Sequence, residues 1–158
     1  MESLIVLQQQ PCNRSCVSTS IAMILGLPAK VVIDRWDEEY HRDGVSLRTI
    51  LDHYKIPFKS FDTADRNGMA DCPSGYYLVT VPSLNFIGGN HEIVVALDNE
   101  KCLYMAYDPQ QGTGAKYYTS NAEITDGLGV HITGGYTLDV CITPEDLKEW
   151  RKQNFIGE

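Results

Sequence analysis

The spacing of apolar residues changes character once along this chain, and that change limits the fold more than any other feature. Before Phe58 the apolar residues recur at helical intervals; after it come short β-rich runs bounded by turn residues. The first helix is predicted over about residues 15–25. It is small and apolar throughout, and Gly26 and Pro28 stop it. Asn13 or Ser15 is its expected side-chain cap. A second helix is expected over residues 29–40, with Val32, Ile33 and Trp36 inward. A third follows Gly44, capped by Ser46, with Leu47, Ile50, Leu51 and Tyr54 as its apolar face. A last helix starts at Thr143, with Pro144 in the first position and Glu145 and Asp146 in the first turn.

Between these helices, residues 76–81, 93–97, 102–107, 116–119 and 136–142 read as strands, and a further short strand is possible at residues 4–8. Residues 62–74 read as a surface lid or simply a long polar connection. Helices first and strands second imply an α+β class, with N-terminal helices packed on an antiparallel β-sheet. At 158 residues the chain is read as one domain, residues 1–158, with enough length for a real core.

The formal charge of −8 and the lack of any basic run argue against nucleic acid and against an anionic membrane surface as partners. The apolar start at residues 4–7 is too short for a signal-peptide core. The five cysteines, Cys12, Cys16, Cys72, Cys102 and Cys141, are odd in number and spread out, unlike a disulfide framework. The expected compartment is therefore reducing and cytoplasmic. Cys12 and Cys16 lack the second close pair that a zinc site needs, so no metal or organic cofactor is expected.

Cys16 is the candidate nucleophile because it stands at the start of the first helix. A free thiol has a pKa of about 8.5, and a helix N-terminus or a protonated His lowers it. His91 is the candidate base, and Asp108 the candidate orienting acid. If the turn between the strands at 93–97 and 102–107 is centred between Asn99 and Glu100, His91 lies directly opposite Asp108. Opposed Cβ atoms are about 4.5–5.5 Å apart, close enough for a carboxylate to hold an imidazole. Gln10, six residues before Cys16, is the candidate donor to a tetrahedral oxyanion, together with the Cys16 backbone N–H. Loss of one such donor costs roughly 2.7–4 kcal/mol of barrier in a well-studied protease.

Competing assignments are available within the chain. Cys12 is the local rival nucleophile, or a redox partner for Cys16. His131, with Asp139 further on, is the alternative base. His41 and His53 read as surface helix residues. Cys72, Cys102 and Cys141 read as structural, with Cys102 inside a buried strand. Asp108 before Pro109 could be a plain turn former, and Gln10 a solvated loop residue.

The segment from Gln10 to Leu25 resembles the bacteriocin-processing peptidase family, the papain-like group that removes double-glycine leaders. Asn90-His91-Glu92-Ile93-Val94-Val95 is similar to that family's His followed by an apolar strand. Tyr107-Asp108-Pro109 with Gly112 is similar to its Asp-Pro motif. The resemblance covers roughly residues 4 to 119, in the order Gln, Cys, His, Asp. It departs from the family at Val17 (usually Gly), at Ser15 (commonly acidic) and at Glu92 (often aromatic or apolar).

The resemblance implies a standalone papain-like fold and a thiol peptidase. Such an enzyme would hydrolyse a peptide or amide bond of a peptide or protein substrate, with Cys16, His91, Asp108 and Gln10 as its site. The same triad serves protein-glutamine deamidation and transglutamination, and a catalytically silent peptide-binding module would keep the same cleft.

Overall fold

The computed structural model describes residues 3–64, 69–121 and 123–154. Four short helical segments come first: α1 (Cys16–Leu25), α2 (Ala29–Val32), α3 (Glu38–Asp43) and α4 (Leu47–His53). A turn of π-helix, Ile33–Asp37, joins α2 to α3, so the expected second helix runs past Tyr40 to Asp43. Strands follow: β1 (Lys59–Ala64), β2 (Gly75–Pro82), β3 (Asn90–Asp98), β4 (Leu103–Tyr107), β5 (Tyr117–Tyr118), β6 (Gly129–Val130) and β7 (Thr137–Ile142). The chain then enters α5 (Pro144–Gln153). Among the described residues no single helix is long and apolar enough to cross a membrane.

The α+β expectation holds. The main sheet has the order β1-β7-β2-β3-β4, and every neighbouring pair is antiparallel. The late strand β7 enters between β1 and β2, a long-range insertion that no local signal announces. β5 and β6 form a separate parallel pair. On one face of the sheet Tyr76, Leu78, Val94, Ala96, Val140 and Ile142 pack against Ile21, Leu25, Val32, Ile50, Leu51 and Trp150 from the helices. On the other face Val79, Val81, Ile93, Val95 and Leu138 pack with Tyr118 and Tyr136. Burial of both faces explains why β3 is almost continuously apolar rather than alternating.

Local signals at the helix ends act as expected in several places. Gly26 takes a left-handed conformation (φ 74°) and its N–H closes on Ala22 O. That conformation is one L-residues with a side chain seldom adopt. Ser46 and Thr143 cap α4 and α5 through Thr49 N and Asp146 N. The far end of α1 is closed from a distance. Buried Arg151 of α5 donates to Met23 O (3.1 Å), Ile24 O (2.8 Å) and Leu4 O (2.7 Å).

Several local expectations are corrected. Neither Asn13 nor Ser15 caps α1 with its side chain, because Ser15 Oγ instead donates to Cys12 O at 2.9 Å. Residues 4–8 form no strand. Their polar groups are met one at a time: Leu4 N donates to Tyr76 Oη (3.1 Å), and the Gln8 carboxamide bridges Leu27 O and Ala29 N, both at 2.7 Å. Part of the expected 62–74 connection belongs to β1, and residues 65–68 lie outside the described residues. Cys102 is exposed in a turn with φ 51°, not buried in a strand.

Candidate active site

Cys16 is the first residue of α1 and is half-buried. Because Ser15 does not cap the helix, no side chain competes for the positive end of the helix at the thiol. Two hydroxyls from the next turn fix the direction of α1. Ser18 Oγ donates to Asp37 Oδ1 at 2.9 Å, and Ser20 Oγ donates to Glu92 O at 3.1 Å. The second bond ties α1 to β3 one residue after His91, so the helix start and the strand start are brought to the same end of the sheet.

His91 Nε2 donates to Asp108 Oδ1 at 2.6 Å. Asp108 is fully buried, and two backbone groups also donate to it: Gln110 N to Oδ1 (2.8 Å) and Tyr118 N to Oδ2 (2.7 Å). Three donors and no competing acceptor hold the carboxylate in one orientation. With Nε2 committed to Asp108, Nδ1 is the nitrogen left for chemistry. Burial pulls the His91 pKa down. Hydrogen bonding to Asp108 and Cys16, with the charges of both, outweighs that and raises it to about 9. The imidazole is therefore protonated at neutral pH, and Asp108 and Cys16 are the groups that keep it so.

The expected register is corrected, although the contact it was used to predict is present. The ladder pairs Val94 with Tyr107 and Leu97 with Tyr104, and a four-residue turn, residues 99–102, follows Asp98 paired with Leu103. This is two residues away from the expected pairing. A two-residue shift keeps every side chain on its original face, whereas a one-residue slip would reverse them all. His91 pairs across the other side with Val81, and Asp108 lies just past the end of β4.

Gln10 is buried, and its backbone N–H donates to Pro109 O at 2.8 Å, next to Asp108. Its Nε2 donates to Cys12 O at 2.8 Å, the same carbonyl that accepts from Ser15 N and Ser15 Oγ. The Gln10 amide is thus held one hydrogen-bonded turn from the start of α1. Its Oε1 is buried without a partner among the described residues. Gly112 (φ 91°) lets the chain pass Gln9: a Cβ there would stand 2.8 Å from Gln9 Oε1.

Four polar residues to which the sequence assigned no part in this group surround it. Glu92 is 4 % exposed, and its Oε1 lies 3.0 Å from Thr80 Oγ1, which is also 2.7 Å from Asp139 Oδ2. Tyr40 of α3 is half-buried. Burial raises its pKa, and the charges of Glu92, Cys16, Asp139 and Asp37 add to the rise. One signal for Glu92 was present: positions 92, 94 and 96 share a face of β3, and Val94 and Ala96 are core. The role of Asp139 had no such signal, since it sits at an irregularity where β7 passes Leu78 and Val79.

The other candidates make no bond to the His91–Asp108 pair. His131 and Cys12 are exposed, and Asp139 is bonded to Thr80 rather than to a His. His41 Nε2 meets Arg14 O and lies 3.7 Å from Asp37, and His53 packs edge-on against Trp36. A cavity of about 320 Å³ is lined by Leu97, Asp98, Cys102, Tyr104, Ile132 and Tyr136, among others. Leu97 is six residues along β3 from His91, about 20 Å at strand rise, so this cavity is not part of the site. Among the described residues no group of three or more His, Cys, Asp or Glu is arranged to hold a metal ion. No family model, no curated protein and no solved structure matches this chain.

Proposed function

We propose that the chain is a papain-like cysteine peptidase, a single domain that hydrolyses a peptide or amide bond by thiol-dependent acyl transfer. The observation that carries this reading is the His91–Asp108 bond of 2.6 Å, on the imidazole whose pKa Cys16 helps to raise. A thiol at an uncapped helix start, a base oriented by a buried carboxylate and an adjacent carboxamide are the parts that such chemistry needs.

In this mechanism the Cys16 thiolate attacks the substrate carbonyl carbon, and the carbonyl electron pair moves onto oxygen. The Gln10 amide N–H and the Cys16 backbone N–H stabilise that oxyanion. As the oxyanion collapses, the C–N bond breaks, and the departing amine takes the proton from His91 Nδ1. His91, now neutral, takes a proton from water, which attacks the thioester and releases the acid and the Cys16 thiolate. Asp108 keeps Nε2–H engaged throughout, so the ring neither flips nor changes tautomer.

Iodoacetamide labelling read by intact-protein and peptide mass spectrometry tests the reading. Cys16 is expected to react fastest among the cysteines, and to lose that advantage in His91→Ala. Slow labelling spread evenly over the cysteines and unaffected by the substitution would reject it. Candidate peptides analysed by mass then separate chain cleavage from glutamine deamidation.

A further inference from the structure

The buried carboxyl of Glu92, next to His91 on β3, has a proton count that the mechanism does not use. Glu92 Oε1, Thr80 Oγ1 and Asp139 Oδ2 form a chain with separations of 3.0 and 2.7 Å. Thr80 carries one hydroxyl hydrogen, and two links need two hydrogens. The second must come from a carboxyl group. The shorter link runs to Asp139, as expected where the acceptor is the charged member. Glu92, less exposed than Asp139 (4 % against 9 %), is then the acid that donates to Thr80 Oγ1. Glu92 Oε2 is buried with no hydrogen-bond partner among the described residues. An unpartnered oxygen is tolerable on a neutral acid and costly on a carboxylate.

Resting on the nucleophile reading of Cys16, we propose that Glu92 is a positioning residue for the Cys16–His91 pair. As a neutral acid it donates its proton into the Glu92–Thr80–Asp139 chain, leaving one negative charge rather than two beside the thiolate. The groups that face it are Asp139 on β7, Cys16 on α1 and Tyr40 on α3, with Thr80 on β2 as the uncharged link. Burial and the neighbouring Asp139 push the Glu92 carboxyl well above its usual range, and the Cys16 charge pushes the same way. The coupling is reciprocal: a Glu92 carboxylate would oppose the Cys16 thiolate by the same free energy. The backbone supports the arrangement too, since Glu92 O holds Ser20 of α1 and thereby sets the helix against the His91 strand.

Two measurements test this. The infrared spectrum of the wild-type protein at neutral pH should contain the carbonyl stretch of a protonated carboxylic acid, and Glu92→Gln should lack it. No such band in the wild type would overturn the proposal without any variant having to fold. The second measurement compares alkylation of Cys16 by iodoacetate and by iodoacetamide as pH rises. In the wild type a new charge at Glu92 repels the anionic reagent, so the rate ratio should fall roughly tenfold further than in Glu92→Gln. Titration of His91 and Tyr40 occurs in both proteins, so the quantity read is the difference between the two profiles. Superposable profiles on a reactive Cys16, over a pH range in which the acid band of the wild type is lost, would overturn the role of Glu92 alone. A wild-type Cys16 no more reactive than Cys12 would overturn the nucleophile reading beneath it.

Discussion

His91 and Asp108 are joined Nε2 to Oδ1 at 2.6 Å although they are not opposite one another in any strand ladder. Asp108 reaches the ring because it stands just beyond β4, where Tyr118 N and Gln110 N turn its carboxylate inward. The bond therefore depends on two chain segments outside the hairpin, and it orients the imidazole whose pKa Cys16 helps to raise.

Removing the acid should separate orientation from chemistry. In Asp108→Ala the His91 ring loses its anchor, and Tyr118 N and Gln110 N lose their acceptor. Iodoacetamide labelling of Cys16 at neutral pH is expected to slow at least roughly tenfold, since the thiolate loses its imidazolium partner. Stability should fall by about 1–3 kcal/mol for each buried donor left unmet. Rate measurements and urea unfolding check the two effects independently.

Stability should also depend on pH in a defined direction. The folded-state pKa of His91 is raised from 6.5 to about 9, so the protonated ring favours the native state. That contribution is fully present below about pH 6.5 and is lost as pH rises through about 9. It is on the order of 3 kcal/mol at its largest. Urea midpoints across this range should decline in the wild type, and the decline should be blunted in His91→Gln; parallel curves would contradict the assignment.

Gln10 should matter to turnover far more than to thiol reactivity. Alkylation of a thiolate forms no oxyanion, so Gln10→Ala is expected to label at nearly the wild-type rate. Turnover of a chromogenic peptide amide should drop about 10²–10³-fold. Equal losses in both assays would show that Gln10 supports the Cys16 loop through the Cys12 carbonyl rather than the oxyanion.

A substitution distant from the site provides the control. Thr143 Oγ1 accepts from Asp146 N at 3.1 Å and caps α5. Thr143→Ala should cost about 1 kcal/mol in unfolding experiments. The labelling rate of Cys16 per folded molecule should stay unchanged.

What the chain determines locally is set by covalent preference and near neighbours. Gly26 ends α1 because it alone adopts φ 74° cheaply, Ser46 and Thr143 place their oxygens on N–H groups three residues ahead, and Pro144 starts α5 where no N–H is needed. Apolar spacing located the helices and β2, β3 and β4, and residue chemistry picked out Cys16, His91, Asp108 and Gln10. Tertiary structure alone decided the rest. The turn residues 99–102 were free to close in more than one register, and packing on both sheet faces selected Leu97 opposite Tyr104. Ser15 gave up capping α1 because the Cys12 carbonyl, brought in by the Gln10 loop, offered a competing acceptor. β7 entered between β1 and β2, carrying Asp139 to Thr80 and creating the buried acid pair with Glu92. The last of these depends on burying groups far apart in sequence, which no window along the chain contains together; the turn and the Ser15 bond join near neighbours, but which local alternative forms is set by packing from outside their windows.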